Sequence, residues 1–525
     1  MAKREIQEPI QLTDLERDIF DVLLSTKRSR NLSVVLRCAG GWVRDKMLGL
    51  DSLDIDIALD NLMGRDFADE INAYLGSQNK PQSRPHVIQQ NPDQSKHLET
   101  ARMRVQGVEL DLVNLRSETY AADSRIPQVD FGTPEQDALR RDFTINSLFY
   151  NIDTEVVEDL TGRGKEDLKA GLIRTPLPAS ETFQDDPLRV LRAVRFASRF
   201  NFELDSSLVA AARSSEVQAA LGSKVSRERF GEELGKVMTG QNPAGAFATI
   251  TDLGMFPIVF QIPSTVEPAL RSDPGRACST LMGAAAQVVS SQPGWDAGEK
   301  KALLIAALLL PFRLARVPVK KGKTQPLASW LILNALKWGT QDAKAVDTLH
   351  EQSQAILEAF PAVKGLTSST QPDQEAHQQA AAQVGKAFSS LKSLCKAGLH
   401  LMPLLALDEA RPLGVADDAA ELALAACQDS LQSSQPDQHP DSVHHRLEQT
   451  KLLADWAAFL DECWTWKELF DGREVQDMLN LQKPGPKIQA VKDAARRWQF
   501  SHPPSTNPSQ AGCRAWLEAE VIPKL

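Results

Sequence analysis

Apolar spacing divides the chain into a strand-bearing first part and a long helical remainder. From Leu12 to Ser25, LTDLERDIFDVLLS places its apolar residues as an amphipathic helix does, entered through Thr13 or Asp14 as cap. LSVVLRCAG, residues 32–40, predicts a strand running into a glycine turn, and WVRDKMLGL a helix after it. LDIDIAL, residues 53–59, alternates strictly. It predicts a half-buried strand with Leu53, Ile55 and Ile57 on one face and Asp54 and Asp56 on the other. A helix follows from about Arg65 to Leu75, then a surface loop over 76–96 that is rich in Pro, Asn, Gln and Ser. HLETARMRVQGVELDLVNLR reads as a hairpin turning at Gln106–Gly107, with Glu109 and Asp111 on one face. After Pro134 and Glu135, the string through DALRRDFTINSLFYNI predicts a helix that buries Ile145, Leu148 and Phe149 and leaves Arg141, Asp142 and Asn146 available. EVVEDLTGRGKEDLKAG predicts a strand, a glycine turn and a short helix.

In FQDDPLRVLRAVRFASRF, Pro187 suits the first position of a helix capped by Asp186. Arg189, Arg192, Arg195 and Arg199 then recur every three or four residues along one face, while Leu188, Leu191 and Val194 form the buried stripe. In VSRERFGEELGKVMTG, the charges of Arg227, Glu228 and Arg229 suit structural ion pairs between helices. Beyond about Leu253 the pattern is mostly helical. LLIAALLLPF is a core helix, RLARVPVKKGKTQP a basic loop, and 366–379 and 428–442 are Gln/Ser/Pro-rich linkers. Near the C-terminus one helix ends at a KPGP turn and another begins.

The chain has 525 residues, 42% hydrophobic and 24% charged, which implies three or four domains of ordinary globular composition. No apolar run approaches the ~20 residues that span a bilayer. A net charge of −10 argues against indiscriminate nucleic-acid binding and restricts any RNA contact to local basic faces. Six scattered cysteines without C-X-X-C spacing form neither a zinc site nor a disulfide framework. MAKREIQEP has no apolar core and is a poor leader. These features predict a soluble intracellular protein.

The candidate chemistry is densest between Arg37 and Leu59. Gly40 and Gly41 allow a sharp turn whose N–H groups can approach a phosphate, and the helix that follows adds its N-terminus. Asp54 and Asp56 side by side repel each other unless a cation lies between them, and hard oxygen ligands suit magnesium. In VELDLV, Glu109 or Asp111 could complete the acid set. Adjacent arginines at RRD suit a triphosphate, because guanidinium pairs bidentately with phosphate oxygens. Asp186 and Arg189 together offer an acceptor beside a donor. That pair complements the amino donor and ring-nitrogen acceptor that cytosine and adenine share, and it opposes uracil and guanine.

The order Gly-Gly, Arg44, Asp45, Asp54, Asp56 resembles the signature of the polymerase-β-like nucleotidyltransferases. More narrowly it is similar to the class II tRNA nucleotidyltransferases, the CCA-adding enzymes, and RRDFTIN matches that family's second motif almost letter for letter. The resemblance is strong over about residues 35–260 and fainter beyond, and points to the fungal and plant branch. It implies an α+β fold: a small polymerase-β-like head sheet with helices, then an all-α neck, body and tail. The expected divisions are 1–180 (head), 181–260 (neck, base recognition), 261–430 (body) and 431–525 (tail, tRNA binding).

The implied activity is addition of C, C and A to tRNA 3′ ends from CTP and ATP, with two Mg2+ ions as cofactor and pyrophosphate as the product released. Asp54 and Asp56 would hold metal, with Asp111 favoured over Glu109 because an acid five residues before Arg116 fits the family pattern. Gly40, Gly41, Arg44 and Arg141 would cradle the phosphates, Asp45 belongs to the same nucleotide-binding set, and Asp142 and Asn146 would serve the ribose. Asp186 and Arg189 would read the base, on a helix face continued by Arg192 and Arg195. The Glu-Asp-X-X-Arg motif carries Asp185 in place of its glutamate. Asp159, Gly162 and Asp167 fall at the family's hinge, and the loop over 76–96 where a flexible element aids the shift from CTP to ATP. A monomer is expected, in the cytoplasm with the nucleus or mitochondrion as further compartments. A poly(A)-type or partial CC- or A-adding enzyme shares this head, and a non-catalytic RNA-binding protein is the alternative of a different class.

Overall fold

The computed structural model describes residues 4–88, 100–119, 128–266, 273–291, 293–319, 322–364, 374–410, 467–483, 485–501 and 509–525. These form two compact units, Met1–Val259 and Phe260–Leu525.

The first unit opens with helix α1 (Asp14–Ser29), whose start is set by a capping box between Thr13 and Glu16. Strand β1 (Leu36–Ala39) leads through Gly40 into α2 (Gly41–Met47). Then come β2 (Ile55–Leu59), α3 (Gly64–Ser77), β3 (His86–Ile88), β4 (Thr100–Val105) and β5 (Val108–Asn114). β6 (Arg116–Thr119) pairs with β7 (Gln128–Phe131) in a separate ribbon, and α4 (Pro134–Leu139) follows. β8 (Phe149–Asn151) and β9 (Val156–Glu158) complete a seven-stranded sheet of order β3-β4-β5-β2-β1-β8-β9. Its strands are antiparallel except for the central β2–β5 pair. Along β2 the inner positions Ile55 and Ile57 are buried to 2% and 0% exposure. The β4–β5 hairpin turns at Gln106 and Gly107, both at positive φ.

The first unit continues with α5 (Gly164–Ala170), β10 (Leu172–Ile173) and α6 (Ala179–Asp185). It continues with α7 (Arg189–Phe200), β11 (Glu203–Leu204), α8 (Ser206–Ala212), α9 (Ser215–Lys224), α10 (Arg227–Met238) and α11 (Pro243–Asp252). Leu188, Leu191 and Val194 are buried, as the stripe predicts. The second unit is helical, built around the buried helix Ala297–Leu309 and neighbours including Pro274–Ser291, Thr340–Lys364 and Cys395–Ala410. Near its end lie helices Gly472–Met478 and Pro486–Ser501, and residue 484 of the KPGP expected as a turn lies outside the described residues. Among the described residues no helix is long and apolar enough to cross a membrane.

Several elements differ from expectation. The helix predicted through RRDFTINSLFY stops at Leu139. Thr144–Asn146 forms a single 3-10 turn, and Phe149 enters β8 opposite Ala39 of β1. A run of buried residues from Phe143 to Tyr150 has no solvent face, so the sheet takes it instead of a surface helix. Leu53 lies before β2 and is 67% exposed. The 76–96 loop contains β3, and its residues 89–96 lie outside those described. The basic 313–326 segment carries a short hairpin pairing Arg316–Pro318 with Thr324–Pro326. Helix Gln374–Leu391 begins inside the first linker, and the second linker lies outside the described residues. Helix α7 starts at Arg189, two residues after Pro187. The extended Asp186 accepts from Leu188 N at 3.2 Å and so caps the loop before the helix.

Candidate active site

Gly40 is where the sheet becomes a site. Its φ of +67° is costly for any residue with a Cβ, and a Cβ here would lie 2.6 Å from Nη1 of Arg141. Its N–H donates to the Leu148 carbonyl at 3.0 Å, tying the turn to β8. Gly41 differs. It has ordinary φ, and its nearest neighbour would be Arg44 Nη2 at 3.7 Å, so only the first glycine is sterically required.

β2 carries Asp56 directly opposite Asp111 of β5 in the parallel register, so both carboxylates leave the same face of the sheet. Asp54 is exposed and lies one residue before the strand. Burial, and then the charge of Asp54, push the Asp56 carboxyl up to about 6. The group resists ionising beside its neighbour, a conflict that a dication relieves. Arg102 on β4 holds Asp111 bidentately, at 2.6 and 2.7 Å. Glu109 also faces Arg102, at 3.3 Å, but does not line the cavity that Asp54, Asp56 and Asp111 share. Among the described residues no three His, Cys, Asp or Glu side chains stand as a ready-made metal cluster.

That cavity, of about 810 Å³, is lined by residues from the sheet and its connecting segments, by Asp186 and by α7 and α10, all of the first unit. Ten arginines and five aspartates face it, which gives an electropositive chamber in a chain of net charge −10. Gly40, Gly41, Arg44, Asp54, Asp56, Asp111, Arg141, Asp142, Asn146, Asp186, Arg189, Arg192 and Arg195 all line it; Asp45 is held just behind.

The motif residues bind one another before any ligand. Arg44 is buried against the rings of Phe200 and Phe196, at 4.7 and 5.2 Å, and donates to Asp45 and to the Asn146 amide oxygen. Asn146 Nδ2 in turn donates to Asp142 Oδ1 at 2.9 Å, and Asp142 Oδ2 accepts two bonds from Arg192 at 2.6 and 3.0 Å. Burial opposes ionisation of Asp142, but Arg192, the Asn146 hydrogen bond and Arg189 hold its carboxyl below the usual range. Asp45 also receives the half-exposed Arg199 at 3.4 Å, which ties α7 to the helix that follows the glycine turn. The four α7 arginines are therefore not an open basic track. Each is engaged, Arg189 with the Arg140 carbonyl at 2.8 Å and Arg195 with Glu233 at 2.6 Å.

Other participants carry no motif of their own. Asp137, 1% exposed, takes Arg140 and Arg141 on its two oxygens and also accepts the Arg116 N–H. Its signal is its place three and four residues before the paired arginines, a spacing that one turn of chain brings together at the end of α4. Arg102, Arg116 and Arg140 line the cavity as well. Arg229, expected as a structural brace, lines it too and holds Asp186 bidentately at 3.1 and 2.6 Å. Arg227 braces differently, donating to the carbonyls of Ile258 and Val259.

Fold and cavity together are those of a nucleotidyltransferase, and the family model of the poly A polymerase head domain matches residues 36–174. The chain is 49% identical over 262 residues to the mitochondrial CCA tRNA nucleotidyltransferase of Saccharomyces cerevisiae, covering 48% of each. It is 50% identical over 245 residues to the Candida glabrata protein of the same name, covering 45% of this chain and 46% of that protein. The chain thus spans about half the length of these two relatives. With the tRNA nucleotidyltransferase cca2 of Schizosaccharomyces pombe it shares 32% identity over 535 residues, 98% of this chain and 99% of that one. The chain belongs to the tRNA nucleotidyltransferase family. Its fold is similar to a CCA-adding enzyme in an apo form (TM-score 0.58, 18% identity, 98% and 97% of the two chains). It is also similar to the Bacillus stearothermophilus CCA-adding enzyme in complex with CTP (TM-score 0.54, 18% identity, 96% and 97%).

Proposed function

We propose that this chain completes tRNA 3′ ends by adding C, C and A from CTP and ATP, without a nucleic-acid template. What supports this most is one electropositive cavity holding a glycine turn and acid set on the sheet side and the Asp186–Arg189 pair on the neck side. In the reaction the primer 3′-oxygen attacks the α-phosphorus, the bond to the β-phosphate oxygen breaks, and pyrophosphate leaves. Gly40, Gly41 and Arg141 receive the triphosphate, and Arg44 and Asp45 hold the turn in shape. Asp142 and Asn146 sit on the ribose side. Asp186 accepts from the exocyclic amine and Arg189 donates to the ring nitrogen, which admits C and A and refuses U and G. Asp54 and Asp56, with Asp111 once Arg102 yields it, are hard oxygen donors that fit Mg2+. When bound, it would neutralise triphosphate charge and ease deprotonation of the 3′-hydroxyl.

We assign head, neck, body and tail to 1–180, 181–260, 261–430 and 431–525, the tail with tRNA binding. We take the working form to be a monomer. The mitochondrial relatives support a mitochondrial share of the activity beside a cytoplasmic or nuclear one.

The test is extension of a tRNA that ends at its discriminator base, with each labelled nucleoside triphosphate offered singly and then CTP with ATP. Three additions ending in A, with UTP and GTP refused and none by Asp54→Ala, are expected. A long adenylate tail would move the assignment to a poly(A) polymerase, and no extension with magnesium present to an RNA-binding protein.

A further inference from the structure

The residue that aims the base-reading carboxylate is identifiable. Asp186 has about four lone-pair sites on its two oxygens. Oδ1 spends two of them, on Arg229 Nη1 at 3.1 Å and on the Leu188 N–H at 3.2 Å. Oδ2 spends one, on Arg229 Nη2 at 2.6 Å. Among the described residues this leaves Oδ2 one lone pair, and the fork of Arg229 decides where it points. Asp186 sits in an extended linker between α6 and α7, where no helix backbone fixes its side chain. Arg229 lies on the first turn of α10, and Glu233 follows four residues later on the same face. Glu233 takes Arg195 at 2.6 Å and Arg192 at 3.6 Å. Helix α10 therefore grips the α6–α7 corner at two points, one of which is the carboxylate that meets the base.

We infer that Arg229 is a specificity-determining positioning residue: it orients Asp186 so that only a base presenting an amino donor completes the acceptor's coordination. The inference rests on the base-reading role proposed for Asp186. A planar bidentate fork suits the task better than an ammonium, which fixes one point and not an orientation. Loss of the fork leaves Asp186 held at Oδ1 alone, by the Leu188 N–H, and Oδ2 unaimed, so CTP and ATP lose their advantage while UTP, which never used the acceptor, loses little.

The experiment measures kcat and KM for single incorporation of CTP, ATP and UTP by full-length Arg229→Met, Arg229→Lys and Asp186→Asn proteins, with thermal melting alongside. Arg229→Met should lower the CTP-to-UTP ratio of kcat/KM by about 10- to 100-fold, the range a misplaced contact costs, chiefly through KM for CTP. Arg229→Lys should recover only part of it. A parallel fall for all three nucleotides, or an unchanged ratio in a protein that melts normally, overturns the inference. Should Arg229→Met fail to fold, the ratio in Arg229→Lys decides, and a wild-type ratio there overturns the inference as well. Asp186→Asn separates the two levels. An unchanged ratio in that variant removes the base-reading role itself, whereas a relaxed ratio there with a wild-type ratio in both Arg229 variants removes only the role of Arg229.

Discussion

At the scale of single residues, the cavity works because its arginines are aimed by buried carboxylates, and Asp137 is the one on which most converge. Burial alone would raise its pKa, yet Arg141 and Arg140 more than offset that and bring it down from 3.8 to about 2. The folded-state value lies below the unfolded one, so the stability is fully present above about pH 4 and is lost as pH falls through about 2. The shift corresponds to about 2 kcal/mol at neutral pH. Asp137→Asn should lose that amount in denaturant titrations at pH 7, and the gap to wild type should close between about pH 4 and pH 2. KM should rise for CTP and ATP alike, because Arg141 is released from its seat beside Gly40. A gap that does not vary with pH would show that the two guanidiniums are held by something else.

At the scale of elements, α1 and α2 are locked by a buried pair between Glu16 and Lys46, 3% and 5% exposed. Glu16 also accepts from the indole of Trp42 and from the Thr13 N–H. Burial pushes its pKa up, but these bonds prevail and hold it below the usual range. Lys46→Met strands that carboxylate and should cost about 3–5 kcal/mol in the urea midpoint of the first unit. It should also raise nucleotide KM, since α2 carries the glycine turn at its start. An unchanged midpoint would mean that α1 packs without the pair. The capping box and the helical period made α1 legible in the sequence, and Asp54, Asp56 and RRDFTIN were legible because their parts lie within a few residues of one another. What escaped were partnerships made only by the fold. Arg229 meets Asp186 across 43 residues, and Arg195 meets Glu233 across 38. Nothing in the local charge pattern distinguishes such pairs from solvated helix faces. The helix expected through Phe149 failed for a related reason: its apolar spacing fits a helix, but the central sheet needed a strand beside Ala39.

At the scale of the molecule, charge is partitioned. A chain of net charge −10 concentrates ten arginines around one cavity, and every one of them lies within Met1–Val259. The five aspartates there leave an excess of positive charge suited to a triphosphate, so anion binding needs nothing from the second unit. A fragment ending at Val259 that retains wild-type helical content should therefore bind CTP within about threefold of the full chain, a change under about 1 kcal/mol. Calorimetric titration of CTP into both proteins checks this. Extension of tRNA should fall far more steeply, because the fragment lacks the helices assigned to gripping the RNA. If a folded fragment instead loses CTP while the full chain binds it, the nucleotide site depends on Phe260–Leu525. The division of labour between a substrate-reading first unit and an RNA-holding second one would then have to be abandoned.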